Sequence, residues 1–463
     1  MATGHIFKDT KEKLDKVGCG FCLAKWTQVT MHLHNGMTHS CHHPSPHKIP
    51  LSELETNPTA LHNTNYKKNV RKEMLENRKP QECNYCWNIE NNSTSYSDRV
   101  FKSAEDWSSK HFDEISGLHW KQDYNPRYVE VSFSNTCNFK CSYCGPTFSS
   151  KWVEEIEKYG GYPTTNNFNN LDWLKATDQV PYKHSEDNPY LESFWKWWPD
   201  LYKDLDTFRI TGGEPLLSKD TWAVLDYILE TDNPNRNLNI SINSNLGVPR
   251  NLIERFVEKA KRIIDEGRVK TLIVFTSCDA YGSHAEYARN GLVFDEFVSN
   301  MEYILENLPK VTINIMSAFN VFSPFTYDKL IDTVFELKKK YYNKERYWIS
   351  AVQLDTSYIR HPQHLTVKVL EREHKDLILK CAKKAYYYAM REFTHDHYGF
   401  SDTEIQKIKR LYDYAIGFDF SINETQNRID FVNFVDEHDK RRGTDFLGTF
   451  PQLEKLYNNV KNR

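Results

Sequence analysis

The sequence contains no apolar run long enough to cross a membrane, and its first residues lack the apolar core of a secretory signal peptide. It also lacks an excess of charge of either sign, because its formal net charge at pH 7 is −3 over 463 residues. A nearly neutral chain has no general electrostatic attraction to nucleic acids or anionic membranes. We therefore expect a cytoplasmic protein that has no membrane partner and whose main partner is not a nucleic acid.

The composition is that of a folded protein, with 39% hydrophobic and 27% charged residues. Its ten cysteines are unevenly distributed, because eight of them precede residue 145. Without a secretory signal, disulfides are a poor explanation for them, and closely spaced cysteines in a reducing compartment usually bind metal. Cys278 and Cys381 stand alone in the sequence, and we expect them to be small buried apolar residues.

Three regions differ in their residue patterns. Residues 1–125 are polar, Cys- and His-rich and without clear periodicity, residues 126–355 alternate strand-like with amphipathic segments, and residues 356–463 have a mostly helical pattern. Six strands are predicted in the middle region, at Tyr128–Ser134, Thr207–Thr211, Leu238–Asn245, Thr271–Ser277, Val311–Ser317 and Tyr347–Leu354. Strands that alternate with helices indicate an α/β fold with a parallel sheet or partial barrel.

The predicted strands are not apolar throughout, as strands buried on both faces would be. In the segment 238–243, for example, apolar residues alternate with Asn239, Ser241 and Asn243. This alternation predicts that one face of the sheet packs on helices while the other lines a polar cavity.

The chemistry is concentrated at Cys137, Cys141 and Cys144, just after the first predicted strand. Parallel α/β sheets build their sites at this carboxyl edge. Three thiolates on one short loop can hold three irons of a 4Fe–4S cluster and leave the fourth iron open. A zinc site would need a fourth Cys or His nearby, and none follows closely in the sequence.

This C-x3-C-x2-C loop, with Tyr143 before its last cysteine, resembles the signature of the radical S-adenosylmethionine (SAM) superfamily. The resemblance extends over roughly residues 128–355 and includes the Gly212–Pro215 segment, which is similar to the family's GGEP motif. It implies a partial (β/α)6 barrel of parallel strands, an N-terminal irregular cluster-binding region and a helical C-terminal extension. It also implies a 4Fe–4S cluster on the three cysteines, with SAM as the second cofactor.

The resemblance assigns SAM-binding roles to residues that follow four successive strands, beginning with the cysteine loop, and to an arginine in a later Tyr-x-Arg-x-Gly stretch. In the family, the GGEP backbone and carboxylate receive the methionine amino group, a polar turn follows near SAM, a Ser-x-Asp segment meets the ribose hydroxyls, and an arginine pairs with the carboxylate. Tyr143 of the cysteine loop is also expected to be near SAM. The residues that match the other parts, in that order, are Gly212, Gly213, Glu214, Asn243, Ser244, Ser277, Asp279 and Arg289.

By the same resemblance, the chain is expected to cleave SAM reductively and to use the resulting 5′-deoxyadenosyl radical to abstract hydrogen from a substrate. The expected partners are an electron donor of the flavodoxin or ferredoxin type and a peptide or small-molecule substrate, which is modified oxidatively. Two alternatives stay open, namely a zinc or iron–sulfur binding module without catalysis and a radical SAM enzyme that acts on nucleic acid.

A second set of cysteines, Cys22, Cys41, Cys83 and Cys86, resembles the auxiliary-cluster modules called SPASM and twitch. Four thiolates would complete a second 4Fe–4S cluster, which could then only accept or relay electrons. Those modules normally follow the barrel, whereas this element precedes it. One alternative is a structural zinc site, and another is a cluster in which Cys19 is the ligand instead of Cys22. The zinc site would use one of the histidines His32, His34, His39, His42 and His43.

Three other features are predicted to be structural. Trp195, Trp197 and Trp198 are expected to pack a helix on the barrel. The Lys338–Lys340 run is predicted to be the solvated end of a helix, and the segment Asp439–Arg442 is predicted to be surface.

Overall fold

The computed structural model describes residues 2–165, 169–183, 186–343, 346, 350–391, 398–417 and 424–462. The beginning of the predicted strand Tyr347–Leu354 lies outside these residues. The strands are β1 (Gln28–His32), β2 (Met37–His39), β3 (His47–Lys48), β4 (Tyr128–Ser132), β5 (Lys140–Cys141), β6 (Thr207–Thr211), β7 (Asn239–Asn243), β8 (Thr271–Ser277), β9 (Arg289–Asn290), β10 (Thr312–Phe319) and β11 (Val352–Tyr358).

Nine of these strands form one sheet in the order β11-β10-β8-β7-β6-β4-β1-β2-β3, and β5 and β9 form a separate two-stranded ribbon. Every neighbouring pair from β11 to β1 is parallel, and only β2 and β3 join in antiparallel fashion. The predicted α/β class with a parallel sheet is therefore confirmed, and the six predicted strands correspond to β4, β6, β7, β8, β10 and β11.

Helices precede, separate and follow the parallel strands. The N-terminal region contains α1 (Ala2–Val17), α2 (Ala24–Thr27), α3 (Leu51–Leu54), α4 (Asn65–Leu75), α5 (Asn84–Asn92), α6 (Asp98–Ala104), α7 (Asp106–Ser109) and α8 (Phe112–Ser116). Between β4 and β11 lie α9 (Ser150–Tyr159), α10 (Leu171–Ala176), α11 (Pro189–Asp204), α12 (Lys219–Glu230), α13 (Arg250–Asp265), α14 (Ser283–Ala288), α15 (Phe294–Asn307) and α16 (Tyr327–Lys340).

The C-terminal extension is helical, as predicted, with α17 (Arg372–Lys375), α18 (Leu377–Arg391), α19 (Asp402–Ile416), α20 (Glu424–Arg442), α21 (Phe446–Thr449) and α22 (Glu454–Lys461). Short 3₁₀ segments lie at Pro58–Leu61, Gln81–Cys83, Pro215–Leu217, Gln363–Leu365, Val367–Val369 and Pro451–Leu453. Among the helices of the described residues, none is both long and apolar enough to span a membrane.

The N-terminal region is joined to the sheet. β1 pairs in parallel with β4 from Gln28 opposite Tyr128 to His32 opposite Ser132, and β2 and β3 then extend the sheet. These three strands were not predicted, because they have only five, three and two residues, although Val29 and Met31 alternate with polar residues in β1. The polar N-terminal region is thus structurally continuous with the parallel sheet.

The two faces of the sheet differ as the alternation predicted. On one face, the buried Phe208 packs against α11, whose Trp198 ring lies 4.8 Å from the Phe208 ring. On the other face, a cavity of about 240 Å³ is lined by Tyr128, Thr207, Arg209, Asn239, Ile240, Ser241, Thr271, Ile273 and Phe275.

Two cationic runs predicted to be solvated are partly buried. The Lys338 side chain is 0% exposed, and its Nζ lies 2.9 Å from a carboxylate oxygen of Glu404. The Arg442 side chain is likewise 0% exposed and pairs with Glu155. Both predictions were wrong for these residues, because the buried partner carboxylates come from distant parts of the chain. Cys278 and Cys381 are buried, as predicted.

Candidate functional site

The three clustered cysteines lie on the loop that joins β4 to α9, at the carboxyl edge of the sheet. The turn after β6 holds the start of this loop, because the Gly213 amide donates to the Ser134 carbonyl (3.0 Å) and the Glu214 amide donates to the Thr136 carbonyl (2.8 Å). Farther along, Cys141 pairs with Arg289 in the ribbon of β5 and β9. The loop is therefore fixed from two sides before any ligand binds.

Hydrogen-bond donors surround the sulfurs of this loop. The Phe139 amide lies 3.4 Å from Cys137 Sγ, and Arg289 Nη1 lies 3.7 Å from Cys141 Sγ. Burial raises the pKa of all three thiols, that of Cys144 to about 12, so the free groups are protonated at neutral pH. Donors to sulfur and a desolvated setting suit thiolates whose charge is balanced by bound iron.

The positions of the cysteine thiols bear on whether the loop would bind a single metal ion or an iron–sulfur cluster. In the described part of the chain, the one group of three His, Cys, Asp or Glu residues with ligand atoms within 4.8 Å of one another is Glu371, Glu373 and His374. Tetrahedral zinc with bonds of about 2.3 Å needs sulfurs about 3.8 Å apart. The three cysteines of the loop do not form such a group, and three thiols on one loop can hold three irons of an iron–sulfur cluster.

Two glycines allow the turn after β6 to approach the cysteine loop. Gly212 has a φ of +127°, and a Cβ on this residue would lie 2.7 Å from the Ser134 carbonyl oxygen. A Cβ on Gly213 would lie 2.3 Å from the Thr136 carbonyl oxygen, which is closer than real Cβ atoms approach. Only glycine therefore permits this contact between the predicted SAM-binding turn and the predicted cluster loop.

The Glu214 carboxylate is buried and already engaged by the protein. It accepts hydrogen bonds from the Leu216 amide (3.0 Å), the Ser244 hydroxyl (2.8 Å) and the Asn245 amide (2.6 Å). Burial raises its pKa to about 7, although these donors oppose the shift. The carboxylate thus ties the end of β6 to the end of β7. Asn243, in contrast, accepts from Arg209 Nε at 2.9 Å.

The residues after β8 form a buried ion pair. Asp279 is 0% exposed and accepts from Arg289 Nε (2.8 Å), Arg289 Nη2 (3.2 Å) and the Tyr143 hydroxyl (2.7 Å). Burial opposes the charge on Arg289, but the Asp279 carboxylate beside it holds its pKa above the usual value. Two residues that the sequence assigned to different parts of SAM therefore bind each other. Ser277 is half-buried at the end of β8.

The four N-terminal cysteines line one cavity, although they come from three separate segments. Cys22, Cys41, Cys83 and Cys86 share this cavity with the side chains of Lys25 and Arg99, among others. Burial raises the pKa of each thiol, that of Cys22 to about 12. Four convergent thiols beside two buried cations form a donor set that fits a negatively charged, fully ligated 4Fe–4S cluster.

The alternatives at this N-terminal site are placed differently by the structure. Cys19 does not line the cavity, and its thiol donates to the Asn77 carbonyl at 3.2 Å. Of the five histidines, His43 lines the cavity, but its Nε2 lies 2.7 Å from an Asp98 carboxylate oxygen.

Three other histidines lie near the cysteine loop of the sheet edge. His34 contacts the Ser132 hydroxyl at 2.8 Å, and the His32 and His39 Nε2 atoms lie 3.3 Å apart. The Phe148 ring, which follows the cysteine loop, packs on both His32 and His34. The sequence predicted these histidines only as alternative zinc ligands. His32 and His34 are two residues apart, as residues on one face of a strand are, and this spacing was the signal that could have placed these two at the sheet edge.

Comparisons with known proteins give matches to solved structures only. No protein-family model and no curated protein matches the sequence. Similar solved structures include Streptococcus suis SuiB bound to S-adenosylmethionine, with 13% identity, coverage of 86% of this chain and 91% of SuiB, and a TM-score of 0.32. They also include anSMEcpe with bound AdoMet, with 14% identity, coverage of 72% of this chain and 99% of that chain, and a TM-score of 0.35. A structure of SuiB bound to precursor peptide SuiA has 12% identity, coverage of 88% and 92%, and a TM-score of 0.30.

Proposed function

We propose that this chain is a radical SAM enzyme. The observation that carries the proposal is the convergence at one sheet edge of the three-cysteine loop, the Gly212–Glu214 turn and Arg289. A 4Fe–4S cluster that binds SAM needs three thiolate ligands and one iron without a protein ligand. The methionine part of SAM needs a backbone that it can approach closely. These parts come from the ends of different strands but are held together by direct hydrogen bonds.

In this proposal Cys137, Cys141 and Cys144 hold a 4Fe–4S cluster with one open iron. When bound together, the cluster and SAM supply a 5′-deoxyadenosyl radical that abstracts a hydrogen atom from the substrate. The protein positions the reactants and excludes water. The carbonyl groups of Gly212 and Gly213 would accept from the SAM ammonium. Glu214 would act mainly by holding this turn against Ser244, because the protein already occupies its oxygens.

The remaining predicted SAM contacts are assigned with one change. Asn243 and Ser277 end neighbouring strands and would line the ribose side of the ligand. Arg289 would present Nη1, the nitrogen beside the Cys141 sulfur, to the SAM carboxylate, while its other two nitrogens stay on Asp279. Asp279 would therefore hold Arg289 and Tyr143 in place and would not contact the ribose directly.

The four N-terminal cysteines would hold a second 4Fe–4S cluster. Each of its irons would have a cysteine ligand, so the chemistry that this cluster would supply is electron transfer and not substrate binding. The net reaction would be a two-electron oxidation of a peptide or small molecule, with the first electron supplied by an external flavodoxin or ferredoxin. The polar cavity on the inner face of the sheet, which contains Arg209 and Ser241, would admit part of a polar substrate.

The test is SAM cleavage by the anaerobically reconstituted protein in the presence of a strong reductant. The wild type should yield 5′-deoxyadenosine and methionine, and changing Cys137, Cys141 and Cys144 together to Ala should abolish both products. The matched control is Cys19→Ala, which removes a thiol outside both sites and should leave the yield unchanged. Cleavage that persists in the triple variant would refute the proposal.

A further inference from the structure

The C-terminal end of α20 is packed against the ribbon that carries Cys141. Arg442, the last residue of α20, bonds Glu155 through Nε and Nη2, each at 3.1 Å, and donates from Nη1 to the Lys140 carbonyl at 2.7 Å. Its guanidinium also lies 4.7 Å from the centre of the Trp152 ring. One side chain from the C-terminal extension therefore fixes the residue directly before Cys141.

The groups around Arg442 form a closed network. Glu155 also accepts from Lys140 Nζ (2.6 Å) and from the Tyr162 hydroxyl (2.8 Å), so its charge and its geometry are both satisfied. Trp152, under the guanidinium, donates from Nε1 to the Cys141 carbonyl at 3.0 Å. The backbone of Lys140 and Cys141 is thus bonded from one side by Arg442 and Trp152.

The same helix end also contacts α14, the helix that leads into the second strand of the ribbon. Asp439 accepts from the Tyr287 hydroxyl at 2.9 Å, and the His438 ring stacks on the Tyr287 ring at 4.4 Å. Tyr287, in α14, lies two residues before Arg289, which pairs with Cys141 across the ribbon. One helical turn of α20 therefore contacts the first strand of the ribbon and the helix that precedes the second strand.

We propose that Arg442 is a positioning residue for the iron–sulfur cluster at Cys141, a role that rests on the proposed function. The two-pronged guanidinium of Arg442 (its fork) binds the Glu155 carboxylate through Nε and Nη2, and its Nη1 binds the Lys140 carbonyl. Arg442 thereby sets the position of the Cys141 sulfur. Its charge acts separately. Arg442 and Lys140 face the single carboxylate of Glu155, whereas the charge of Arg289 is matched by Asp279. The Asp439 carboxylate lies at the same helix end, so removing the Arg442 charge makes the side of the cluster near Cys141 more negative by one charge.

The two effects are separable by substitution. Arg442→Met removes the fork and the charge, whereas Arg442→Lys keeps the charge and loses the fork. The matched control is Arg441→Met, because Arg441 is equally buried on α20 but bonds Glu437 and the carbonyls of residues 159–161 instead of the ribbon. Glu155→Gln removes the carboxylate partner and tests the same network from the other side.

The first measurement is made on the full chain before iron is added. The rate at which iodoacetamide alkylates Cys141, followed by mass spectrometry of peptides, should rise severalfold in Arg442→Met and Glu155→Gln and stay at the wild-type value in Arg441→Met. Equal rates in the wild type, Arg442→Met and Glu155→Gln would overturn the positioning role. This readout needs no cluster, so it stays decisive even if the chain fails to cleave SAM and the proposed function falls.

The second measurement is made on the reconstituted protein. Arg442→Met should bind fewer irons per chain, and the cluster that remains should show a more negative midpoint potential and an altered electron paramagnetic resonance spectrum. Arg442→Lys should keep the potential but not the full iron content. An unchanged potential and spectrum in Arg442→Met would show that the residue stabilises the fold alone, and the proposal would be wrong.

Discussion

The two cysteine sites are built in opposite ways. The sheet-edge site takes its three thiols from one short loop. The N-terminal site takes its four from the segment before α2, from the residues after β2, and from the 3₁₀ segment Gln81–Cys83 with the adjoining α5. In the proposed function, the local site would leave one iron of its cluster open, as a site that binds a ligand requires. The dispersed site would give every iron a cysteine ligand, as a site that only transfers electrons requires.

The sites also differ in how their charge is balanced. At the sheet edge, Arg289 approaches a cysteine sulfur but is already paired with Asp279. At the N-terminal site, Lys25 and Arg99 line the cavity itself, although each also has a carboxylate partner in Glu82 or Glu90. The cations of the dispersed site therefore come from separate segments, as its cysteines do. This site depends on the folding of the whole N-terminal region.

The largest effect that would test this comparison comes from changing Cys22, Cys41, Cys83 and Cys86 together to Ala. We expect the iron content to fall from about eight to about four per chain, because one of two 4Fe–4S clusters is lost. The variant should still cleave SAM but release no oxidised product, which mass spectrometry of the reaction mixture would detect.

The wild type itself supplies the contrary result for this first prediction. If it binds about four irons and one zinc ion, as metal analysis would reveal, the N-terminal site is structural and the electron relay is wrong. If two clusters are present but the product is redox-neutral, the second cluster stands and the oxidation does not.

The second prediction tests the close approach on which the sheet-edge site depends. Gly213→Ala places a Cβ 2.3 Å from the Thr136 carbonyl oxygen, so the turn and the cysteine loop must separate. We expect loss of SAM binding by calorimetry and destabilisation of about 1–3 kcal/mol by chemical unfolding. Gly117→Ala, where the nearest atoms lie 3.7 Å from the added Cβ, is the control. Tight SAM binding by Gly213→Ala would argue against the contact.

The third prediction concerns Glu214, which joins the ends of two strands at the same site. Glu214→Ala removes the acceptor of three hydrogen bonds, and one charged hydrogen bond is worth about 1.5–3 kcal/mol. Because these bonds position the turn that would receive SAM, losing the equivalent of one of them should lower SAM affinity by roughly ten- to a hundredfold, measured by calorimetry with the cluster intact. Glu373→Ala, at an exposed carboxylate, should have no effect. An unchanged affinity in Glu214→Ala would remove Glu214 from the site.

The pH dependence of Glu214 follows from the same burial. Its folded pKa of about 7 lies above the usual 4.5, so the folded state binds more protons than the unfolded state between these values. This carboxyl group therefore lowers the stability of the cluster-free protein as the pH rises from about 4.5 to 7. Glu214→Gln should flatten that decline in urea unfolding, and an equally steep decline in the variant would contradict the assignment.

The smallest expected effect distinguishes two cysteines that are neighbours in sequence. Cys22→Ser should lower the iron content of the N-terminal site, because Cys22 lines its cavity, whereas Cys19→Ser should leave it unchanged. Iron analysis of the two variants, each with the sheet-edge cysteines intact, provides the measurement. The reverse result would assign the ligand role to Cys19.

The features predicted from the sequence are those encoded by local patterns. Strands with alternating residues and a short cysteine loop can be predicted from adjacent residues, and the sheet and the position of Cys137 at its edge followed from them. Pairings between residues far apart in the sequence could not be predicted. The Asp279–Arg289 ion pair and the burial of Arg442 depend on which segments meet in the fold, and an arginine on a helix end is usually exposed.

The parallel pairing of β1 with β4 bears on how the chain can be divided. A strand at the edge of a sheet presents unpaired amide and carbonyl groups that recruit other chains, and β1 covers that side of β4 over its whole length. A fragment that begins at residue 126 would lose β1 and expose the unpaired amide and carbonyl groups of β4 at the edge of the sheet. It would tend to aggregate, and a protease that cuts the intact protein near residue 125 should leave two fragments that stay associated.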